Sequence, residues 1–419
     1  MKRILPAIIL WMLSALPLFL SAQSGNFGFN PEKHNVISLD ANLEVNSTAV
    51  TNQFMYDFYN GKFLTDELKK DNSARMKDYN LLGYRFDAAL TFRVSDTANR
   101  NSGFFGTLEQ HDRIELSFDK EFFDLYFFGN AQYTDQFVHI NNVGMNMITY
   151  QQLKAGFYES FGKDNRHTLG LAVGFVKGQK NLDVDVKQAT LFTQKDAMFI
   201  ALDADMSLRR SDSASSDLKA MNGAGASVDV FWSVTDNHKN NFRISLSDLG
   251  FIKWSSRSQQ YSRDTLYHFD GFEVKDMLDI GATTFTGKTK DSILNEFSFA
   301  DKHGTYDMWL PMQFNISYNR LFLKDRFLLS AMVRHEFFSK YKPQVIIKPA
   351  YCYRWKKSEL RLAAILMMRG YGTFNAGAEI TANIANSFFL QLGTGYLNAY
   401  LNPQNAAGIG GYFSIAKSF

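Results

Sequence analysis

Hydrophobic and polar residues alternate with a period of two along most of the chain. In Asn80–Val94 one parity carries leucine, tyrosine, phenylalanine and valine, whereas the other carries glycine, arginine, aspartate and threonine. Met198–Arg209, Gly225–Val234 and Asn241–Ser247 repeat the pattern, and the C-terminal third adds six further segments of this kind. Because successive side chains of a strand point to opposite faces, this period predicts strands with one apolar face.

The predicted strands have the length that crosses a membrane. About 17 segments are strand-like, and many have about 9–13 residues, which spans a bilayer when the strand is tilted. Strands of globular proteins are shorter, with about 5–6 residues. We therefore predict an all-β fold, a closed antiparallel transmembrane β-barrel with about 14 strands (12–16) and short helical inserts. A soluble all-β domain is the less favoured alternative.

The N-terminus has the pattern of a cleaved secretory signal. Lys2 and Arg3 precede an apolar stretch, and the small residues Ser21 and Ala22 follow it. This order of charge, apolar run and small residues predicts a signal peptide at 1–22 and a single mature barrel domain at 23–419. We expect the chain to reach the cell outer membrane by export, since no later apolar run is long enough for a membrane helix.

Two intervals break the alternation. Residues 52–77 contain Thr65 followed by Asp66 and Glu67, which is typical of a helix N-terminus with its capping residue. Residues 275–306 are long and polar. Each of the two intervals has two possible interpretations, a helical insert that plugs the lumen and a surface loop.

Composition and motifs exclude several function classes. The 45 lysines and arginines almost balance the 42 acids, so no basic face for nucleic acid is expected. A single cysteine, Cys352, excludes an intramolecular disulfide and a multi-cysteine metal site. Metalloprotease, nucleophile-elbow, phosphate-loop and calcium-loop motifs are lacking in the sequence. We therefore expect neither an enzyme nor a cofactor or metal.

Charged residues on the polar parity of the predicted strands are the candidates for a functional lumen. A charge on the lipid face costs about 2–4 kcal/mol at mid-membrane, so these side chains should face inward. They either form a salt-bridged filling or line a polar path. The candidates are Arg85, Arg93, Asp203, Asp205, Arg209, Asp229, Arg243, Arg334, Glu336, Arg361 and Glu379.

The motif from Asp248 to Trp254 changes the alternation. Asp248 falls on the parity of Phe242, Ile244 and Leu246, the apolar row. We predict that the strand leaves the hydrocarbon zone near Asp248 and bends at Gly250, since glycine in a strand often marks a bulge. Trp254 would then lie at the interface or against the barrel mouth, and Asp248 would bond backbone N–H groups of the turn. This role is structural.

Two short signals concern modification and assembly. Aspartate followed by Ser or Thr and a small or aliphatic residue resembles the O-glycosylation motif of exported Bacteroidota proteins. This motif predicts O-glycosylation of Thr97, Ser213, Thr265 and Ser292. The terminal Phe419 resembles the signal that the outer-membrane barrel-assembly machinery reads, although Lys417 on the same parity departs from it. Outer-membrane lipid and secretion or envelope proteins are the other expected partners.

The sequence resembles an uncharacterised family of Bacteroidota outer-membrane β-barrels, a domain of unknown function. The most specific match is Phe242–Trp254, which ends in Asp-Leu-Gly-Phe-Ile-Lys-Trp and follows Gly223-Ala-Gly225. Tyr150–Gly162, Leu169–Gly178 and Trp309–Met312 also match. More distantly, the layout is similar to fatty-acid-transporter-type barrels and to barrels accessory to the Bacteroidota secretion system. The resemblance implies an outer-membrane barrel and no established activity.

Two functions from different classes follow. The first, which we favour, is a passive channel or transporter for small or hydrophobic solutes. The second is a structural or secretion-accessory barrel that anchors partners. A lumen packed shut by ion pairs would favour the second function, whereas a continuous cavity or an opening between strands would favour the first.

Overall fold

The computed structural model describes residues 35–95, 101–195, 199–212, 219–269, 302–385 and 387–419. Within them, 19 strands form one sheet. The strands are β1 (Asn35–Ser47), β2 (Asn80–Ser95), β3 (Ser102–Phe118), β4 (Phe137–Ile140), β5 (Val143–Phe161), β6 (His167–Thr193), β7 (Ile200–Arg210), β8 (Gly223–Thr235), β9 (Asn241–Trp254), β10 (Gln259–Phe269), β11 (Lys302–His303), β12 (Tyr306–Trp309), β13 (Met312–Phe322), β14 (Phe327–Phe337), β15 (Gln344–Trp355), β16 (Ser358–Met368), β17 (Phe374–Ile384), β18 (Phe388–Thr394) and β19 (Gly408–Ser418). The helices are α1 (Asn52–Tyr59), α2 (Asp66–Arg75), α3 (Lys120–Phe128) and α4 (Leu397–Leu401).

The sheet closes on itself. β1 pairs with β2 on one side and with β19, the last strand, on the other. Five of the 19 strands, β4, β7, β10, β11 and β12, lie outside this ring, which leaves 14 strands in the order β1-β2-β3-β5-β6-β8-β9-β13-β14-β15-β16-β17-β18-β19. The prediction of a closed antiparallel barrel with about 14 strands and short helical inserts is confirmed.

The two ends of the barrel differ. At one end, which holds Asn35 and Phe419, neighbouring strands are joined by short turns such as 162–166, 236–240, 323–326 and 356–357. We call it the short-turn end. Among the described residues, the opposite, long-loop end carries the four α-helices and the five strands that lie outside the ring. The turn-forming residues at 162–165, 235–238 and 324–325, rich in glycine, asparagine and aspartate, all fall at the short-turn end.

The outward face of the ring is apolar. On each strand the parity that points out of the barrel carries large exposed hydrophobic side chains, whereas the opposite parity is mostly buried. A closed ring leaves no unpaired strand edge, and an apolar outer surface suits contact with lipid. Examples of the outward row are Phe92, Phe104, Leu108, Leu153, Leu171, Val173, Val230, Leu362 and Ile380. None of the helices in the described ranges is long and apolar enough to cross a membrane.

Strand β6 runs beyond the rim of the ring. Residues 167–178 of β6 pair with β5 and β8, residues 180–186 continue along β5, and residues 182–193 pair with β7, with β4 beside residues 189–192. β10 then adds to β7. Three of the predicted lumen charges, Asp203, Asp205 and Arg209, lie on β7 and therefore belong to this extension, so their predicted place inside the membrane-spanning ring is wrong. Arg209 pairs with Asp183 of β6, and Lys187 pairs with Asp205.

Helices α1 to α3 pack on the outside of the barrel. Phe54 of α1 and Phe123 of α3 share an apolar cluster with Leu82, Leu116 and Val143. Those three residues belong to the outward rows of β2, β3 and β5. One interpretation of residues 52–77 was a helical plug of the lumen. That interpretation is wrong, because these helices lie outside the barrel. Of the interval 275–306, residues 275–301 lie outside the described residues.

Candidate functional site: the closed interior and a gap in the wall

A row of charged residues on β3 organises the interior. Glu109, His111, Arg113 and Glu115 occupy alternate positions, so all four side chains point into the barrel. The side chains of His111, Arg113 and Glu115 are buried, and that of Glu109 is only slightly exposed to water. Buried charges are costly unless they are paired, so each needs a partner from another strand.

Asp87 of β2 is the first centre of this network. Its carboxylate lies 2.6 Å from Nε of Arg85, 2.7 Å from Nη1 of Arg113 and 2.7 Å from Nδ1 of His111. Nε2 of His111 lies 3.0 Å from Glu109. The histidine ring thus bridges two carboxylates, which links the first centre to the second.

Lys154 of β5 is the second centre. Its ammonium lies 3.0 Å from Glu109, 2.8 Å from Asp229 and 2.7 Å from Asp248. The three donor hydrogens of a lysine ammonium match three carboxylate acceptors. One cation therefore holds β3, β8 and β9 together inside the wall.

Other contacts of the interior cross the barrel. Arg85 Nη1 donates a short hydrogen bond to Glu336 of β14, a strand that lies halfway round the ring from β2. Glu115 of β3 accepts a hydrogen bond of 2.6 Å from the hydroxyl of Tyr371, which follows β16. The Tyr371 ring lies against Gly83, where an added Cβ would come within 2.1 Å of it. Glycine at position 83 thus permits the close approach of the Tyr371 ring to β2.

These contacts close the interior to water at their level. The exposed fraction is 1% for Arg113 and 0% for Glu336, Tyr371 and Trp254. The side chains that line a water-filled channel would be accessible to water. The packed lumen is therefore no open pore at the level of these side chains, and Arg85, Asp229 and Glu336 take the first of their two expected roles, a salt-bridged filling.

Asp248 belongs to this filling rather than to the lipid face. β9 carries a bulge there, because Val228 of β8 pairs with Leu249 and Val230 pairs with Leu246, and Asp248 has φ of 63°. The extra residue turns Asp248 inward, where its backbone N–H donates to Asp229 at 2.7 Å. The predicted lipid-side position of Asp248 and its bonding to turn N–H groups are wrong, and the bulge lies at Asp248 rather than at Gly250. Trp254 is buried inside the long-loop end, which agrees with the alternative that placed it against the barrel mouth rather than at the lipid interface.

The same centre has the make-up of a metal site. Ligand atoms of Glu109, His111 and Asp248 lie within 4.8 Å of one another. The ammonium of Lys154 contacts both carboxylates, however, and already supplies the positive charge that a metal ion would bring. The geometry favours a lysine-centred ion cluster over a metal centre.

The opposite side of the interior is apolar. Inward residues of β14, β15 and β16 pack with Tyr412 of β19 and with the segment 395–407, which follows β18 and includes α4. We call this group the apolar cluster, and its members are Met332, Ile346, Ile365, Met367, Tyr396, Ala399, Ala406 and Tyr412. The Tyr396 hydroxyl donates to Glu44 at 2.6 Å, and Tyr412 donates to Glu379.

The wall is interrupted beside the apolar cluster. β18 is short and pairs with β17 only over 378–384 and with β19 only over 412–417. Residues 374–377 of β17 and 408–411 of β19 therefore have no strand between them in the described pairing. Two strand spacings, roughly 9–10 Å, separate β17 from β19 at this level. We call this gap the notch.

The segment 395–407 fills the notch. The chain turns inward after β18, so that Gly395 lies against Met367 and the backbone of Thr394 crosses over Gly377. Asn398 of α4 donates to Asn375 of β17 at 3.4 Å. Ile409, on the outward parity of β19, packs against the apolar cluster. Leu397, Tyr400 and Leu401 remain exposed.

The remaining predicted residues take separate positions. Arg243 lies over the ring of Phe231, and Arg93 lies over the ring of Tyr158. Arg334 donates to Asn315 at 3.4 Å, Arg361 pairs with Glu359 on its own strand, and Glu379 pairs with Lys348 at 3.1 Å. Of the modification candidates, Thr265 lies on β10, and Thr97, Ser213 and Ser292 lie outside the described residues.

Sequence reasoning missed most of the two ion centres. Asp87, Glu109, His111, Arg113 and Lys154 were not among the candidates. The signal for three of them is the run of charges at every second position of β3 from Glu109 to Glu115, which is unusual for one strand face. Nothing in the sequence marks Lys154, since its partners lie up to 94 residues away.

These features define a closed transmembrane β-barrel with an ion-paired interior and an interrupted wall. The chain belongs to a family of unknown function (DUF5723), whose profile matches residues 27–392. No curated protein matches the sequence.

Several solved outer-membrane barrels align along nearly the whole chain. The TodX deltaS2S3 mutant, a monoaromatic hydrocarbon channel, has 9% identity and a TM-score of 0.47, with 96% of each chain covered. A FadL homologue of Pseudomonas aeruginosa has 9% identity and a TM-score of 0.38, with 93% of this chain and 91% of that chain covered. The translocator domain of the autotransporter NalP from Neisseria meningitidis has 8% identity and a TM-score of 0.35, with 99% and 96% covered.

Proposed function

We propose that this chain is an outer-membrane barrel that is closed to ions and polar solutes and passes small hydrophobic molecules through the notch. The observation that carries the proposal is the gap between β17 and β19, which is filled by the chain's own segment 395–407 and backed by the apolar cluster. An opening between strands is the feature that separates a transporter from a purely structural barrel.

The difference between the two ends of the barrel supports an orientation with the notch in the outer leaflet. Bacterial barrels have short periplasmic turns and longer extracellular loops. The short-turn end therefore faces the periplasm, and the long-loop end, with the notch, faces outward. A molecule dissolved in the outer leaflet would meet the notch from the side.

The chemistry of the notch favours uncharged apolar molecules. Its inner wall presents methionine, isoleucine and tyrosine side chains. Of the basic groups beside the notch, Lys348 is paired with Glu379 and Arg75 donates to Asn405 of the segment 395–407, and the hydroxyls of Tyr396 and Tyr412 already donate to carboxylates. A charged solute would find no free partner among these groups and would lose its hydration, which is costly in an apolar site.

Passage requires the segment 395–407 to move. Leu401 is 84% exposed and Tyr400 is 60% exposed, so the outer side of α4 is weakly held. Its inner side is held by Ala399 in the apolar cluster and by the hydrogen bond from Asn398 to Asn375. A hydrophobic solute can replace the contacts of the apolar cluster, since such contacts are not directional.

A reversible staple tests this function. In a Cys352→Ser background, the pair Asn375→Cys and Asn398→Cys is joined by a short bis-thiosulfonate reagent that a reductant removes. Uptake of the hydrophobic dye N-phenyl-1-naphthylamine is measured in cells that display the barrel. We expect the staple to reduce uptake to the level of cells without the barrel, and the reductant to restore it.

The control is a matched pair at the short-turn end. Asn165 donates to Asn101 at 2.7 Å, so Asn101→Cys and Asn165→Cys offer the same chemistry far from the notch. This staple should leave uptake unchanged. If the notch staple also leaves it unchanged, the proposed route is wrong.

A second candidate function is a non-transporting barrel that anchors secretion or envelope partners. It is favoured by the packed interior and by the sheet of β4, β6, β7 and β10, which extends beyond the ring at the long-loop end. In that case dye uptake would be the same with and without the barrel, and a fixed partner would co-purify with it.

A further inference from the structure

Helices α1 and α3 carry some aromatic residues that pack on the barrel and others that remain exposed. On the inner side, Phe54, Phe123 and Phe127 pack together, with ring centroids 4.6–5.5 Å apart, against the outward rows of β2, β3 and β5. On the outer side, Phe58 and Tyr126 approach to 6.4 Å and are 41% and 63% exposed. The barrel therefore explains only the inner side.

Three of the exposed aromatic residues, Phe58, Phe122 and Tyr126, form one patch. The ring centroids of Phe122 and Tyr126 lie 6.4 Å apart, so Tyr126 links Phe122 to Phe58. Phe63, in the link between α1 and α2, is 86% exposed. A large apolar side chain left in water lacks the stabilisation that burial gives, so a contiguous patch of this kind marks a contact surface.

Helix α2 has the opposite character. Its sequence, Asp-Glu-Leu-Lys-Lys-Asp-Asn-Ser-Ala-Arg, is almost entirely polar, and Asp66, Glu67 and Asp71 are exposed. The Ser73 hydroxyl donates to Asp124 of α3 at 2.6 Å, which fixes the polar helix to the aromatic one. The three helices thus form a single unit with one aromatic side and one polar side.

Lysine side chains lie along the boundary between the two sides. The Lys62 ammonium sits 4.5 Å above the ring of Tyr56, and the Lys69 ammonium sits 5.5 Å above the ring of Phe128. Lysines that lay their stems along aromatic surface and hold the ammonium at the polar edge are typical of the membrane–water boundary.

We infer that α1 and α3 form a membrane-interface platform, whose aromatic side inserts at the boundary between lipid headgroups and acyl chains while α2 faces water. The occupant of the exposed patch is lipid, because the patch continues the outward apolar rows of β2 and β3, which already face the acyl chains. Amphipathic helices bind this boundary through such a division of faces. The inference needs only the membrane-spanning barrel and does not depend on transport through the notch.

Quenching by labelled lipids tests the platform. In the Cys352→Ser background, single cysteines replace Phe63, Tyr126 or Asp71 and carry a bimane fluorophore. The barrels are reconstituted into vesicles of phosphatidylcholine and phosphatidylglycerol, with or without lipids that bear a nitroxide near the headgroup. We expect the labels at 63 and 126 to lose most of their fluorescence to the nitroxide lipids, and the label at 71 to be quenched mainly by aqueous iodide.

The opposite pattern would overturn the inference. If iodide quenches all three labels alike and the nitroxide lipids quench none, the platform is in water. If the labels at 63 and 126 become shielded only when outer-membrane protein extract is added, the patch binds a protein instead. Heat-modifiable migration of each labelled variant verifies that the barrel has folded, and neither pattern bears on dye uptake through the notch.

Discussion

Lys154 supports the ion-paired interior more than any other single residue, and its removal gives a quantitative test. Lys154→Met keeps the length of the side chain but leaves Glu109, Asp229 and Asp248 without their shared cation. The exposed fraction of the lysine side chain is 4% and that of Asp248 is 2%, so water does not compensate. Breaking a buried ion pair in this way costs about 3–5 kcal/mol. At 1.36 kcal/mol per tenfold change, the folding equilibrium constant should fall by at least about 100-fold.

The free energy of unfolding is measured by urea titration in detergent micelles, with the gel mobility of the folded barrel as readout. Lys187→Met is the matched control, because Lys187 is exposed and makes one ion pair with Asp205, which should contribute at most about 1 kcal/mol. Adding Asp248→Asn to Lys154→Met should recover part of the loss, since it removes one uncompensated carboxylate. Equal stability of Lys154→Met and the parent barrel would refute the description of this centre.

Three further predictions follow from single contacts. Gly83→Ala should lower the stability of the barrel by about 1–3 kcal/mol through overpacking against Tyr371. Gly106→Ala is the control and should leave the stability unchanged, because the nearest atom to its new Cβ would be 3.6 Å away. The temperatures at which the two variants lose the gel mobility of the folded barrel compare them. Asp119→Ala removes the N-cap of α3, whose carboxylate accepts from the Phe122 N–H at 2.8 Å. The free energy of opening α3, measured by hydrogen exchange, should fall by about 0.5–2 kcal/mol, whereas Asp119→Asn should retain most of the cap. Deletion of Phe419, which we propose as the contact with the assembly machinery, should reduce the amount of heat-modifiable barrel in the outer membrane, and an unchanged amount would contradict that role.

The wall of the barrel could be predicted from the sequence because its rules are local. A period of two fixes which side chains of β2 and β8 face lipid, and the turn residues at 162–165 and 235–238 fix where the strands end. The Asp248 motif shows the limit of this reasoning. A single bulged residue reverses the parity of everything that follows, and the parity of the preceding row gives no warning of it.

The closed interior and the notch could not be predicted, since both depend on contacts between distant parts of the chain. Arg85 and Glu336 are 251 residues apart and meet only because the ring places β2 opposite β14. The notch exists because β18 has 7 residues whereas β17 and β19 have 11. Gly393 and Gly395 lie in this region, but the glycines alone could not show that the chain turns into the lumen.

Ion conductance across a planar lipid bilayer tests the closed interior and the notch most directly. Purified parent barrel should insert without stepwise conductance, because Arg85, Glu336, Tyr371 and the segment 395–407 leave no continuous water path. Replacement of residues 397–401 by a flexible glycine–serine linker of equal length should produce conductance steps, since the notch and the space beside the apolar cluster would fill with water. Steady steps from the parent barrel, with the size expected of an open 14-stranded pore, would contradict the account.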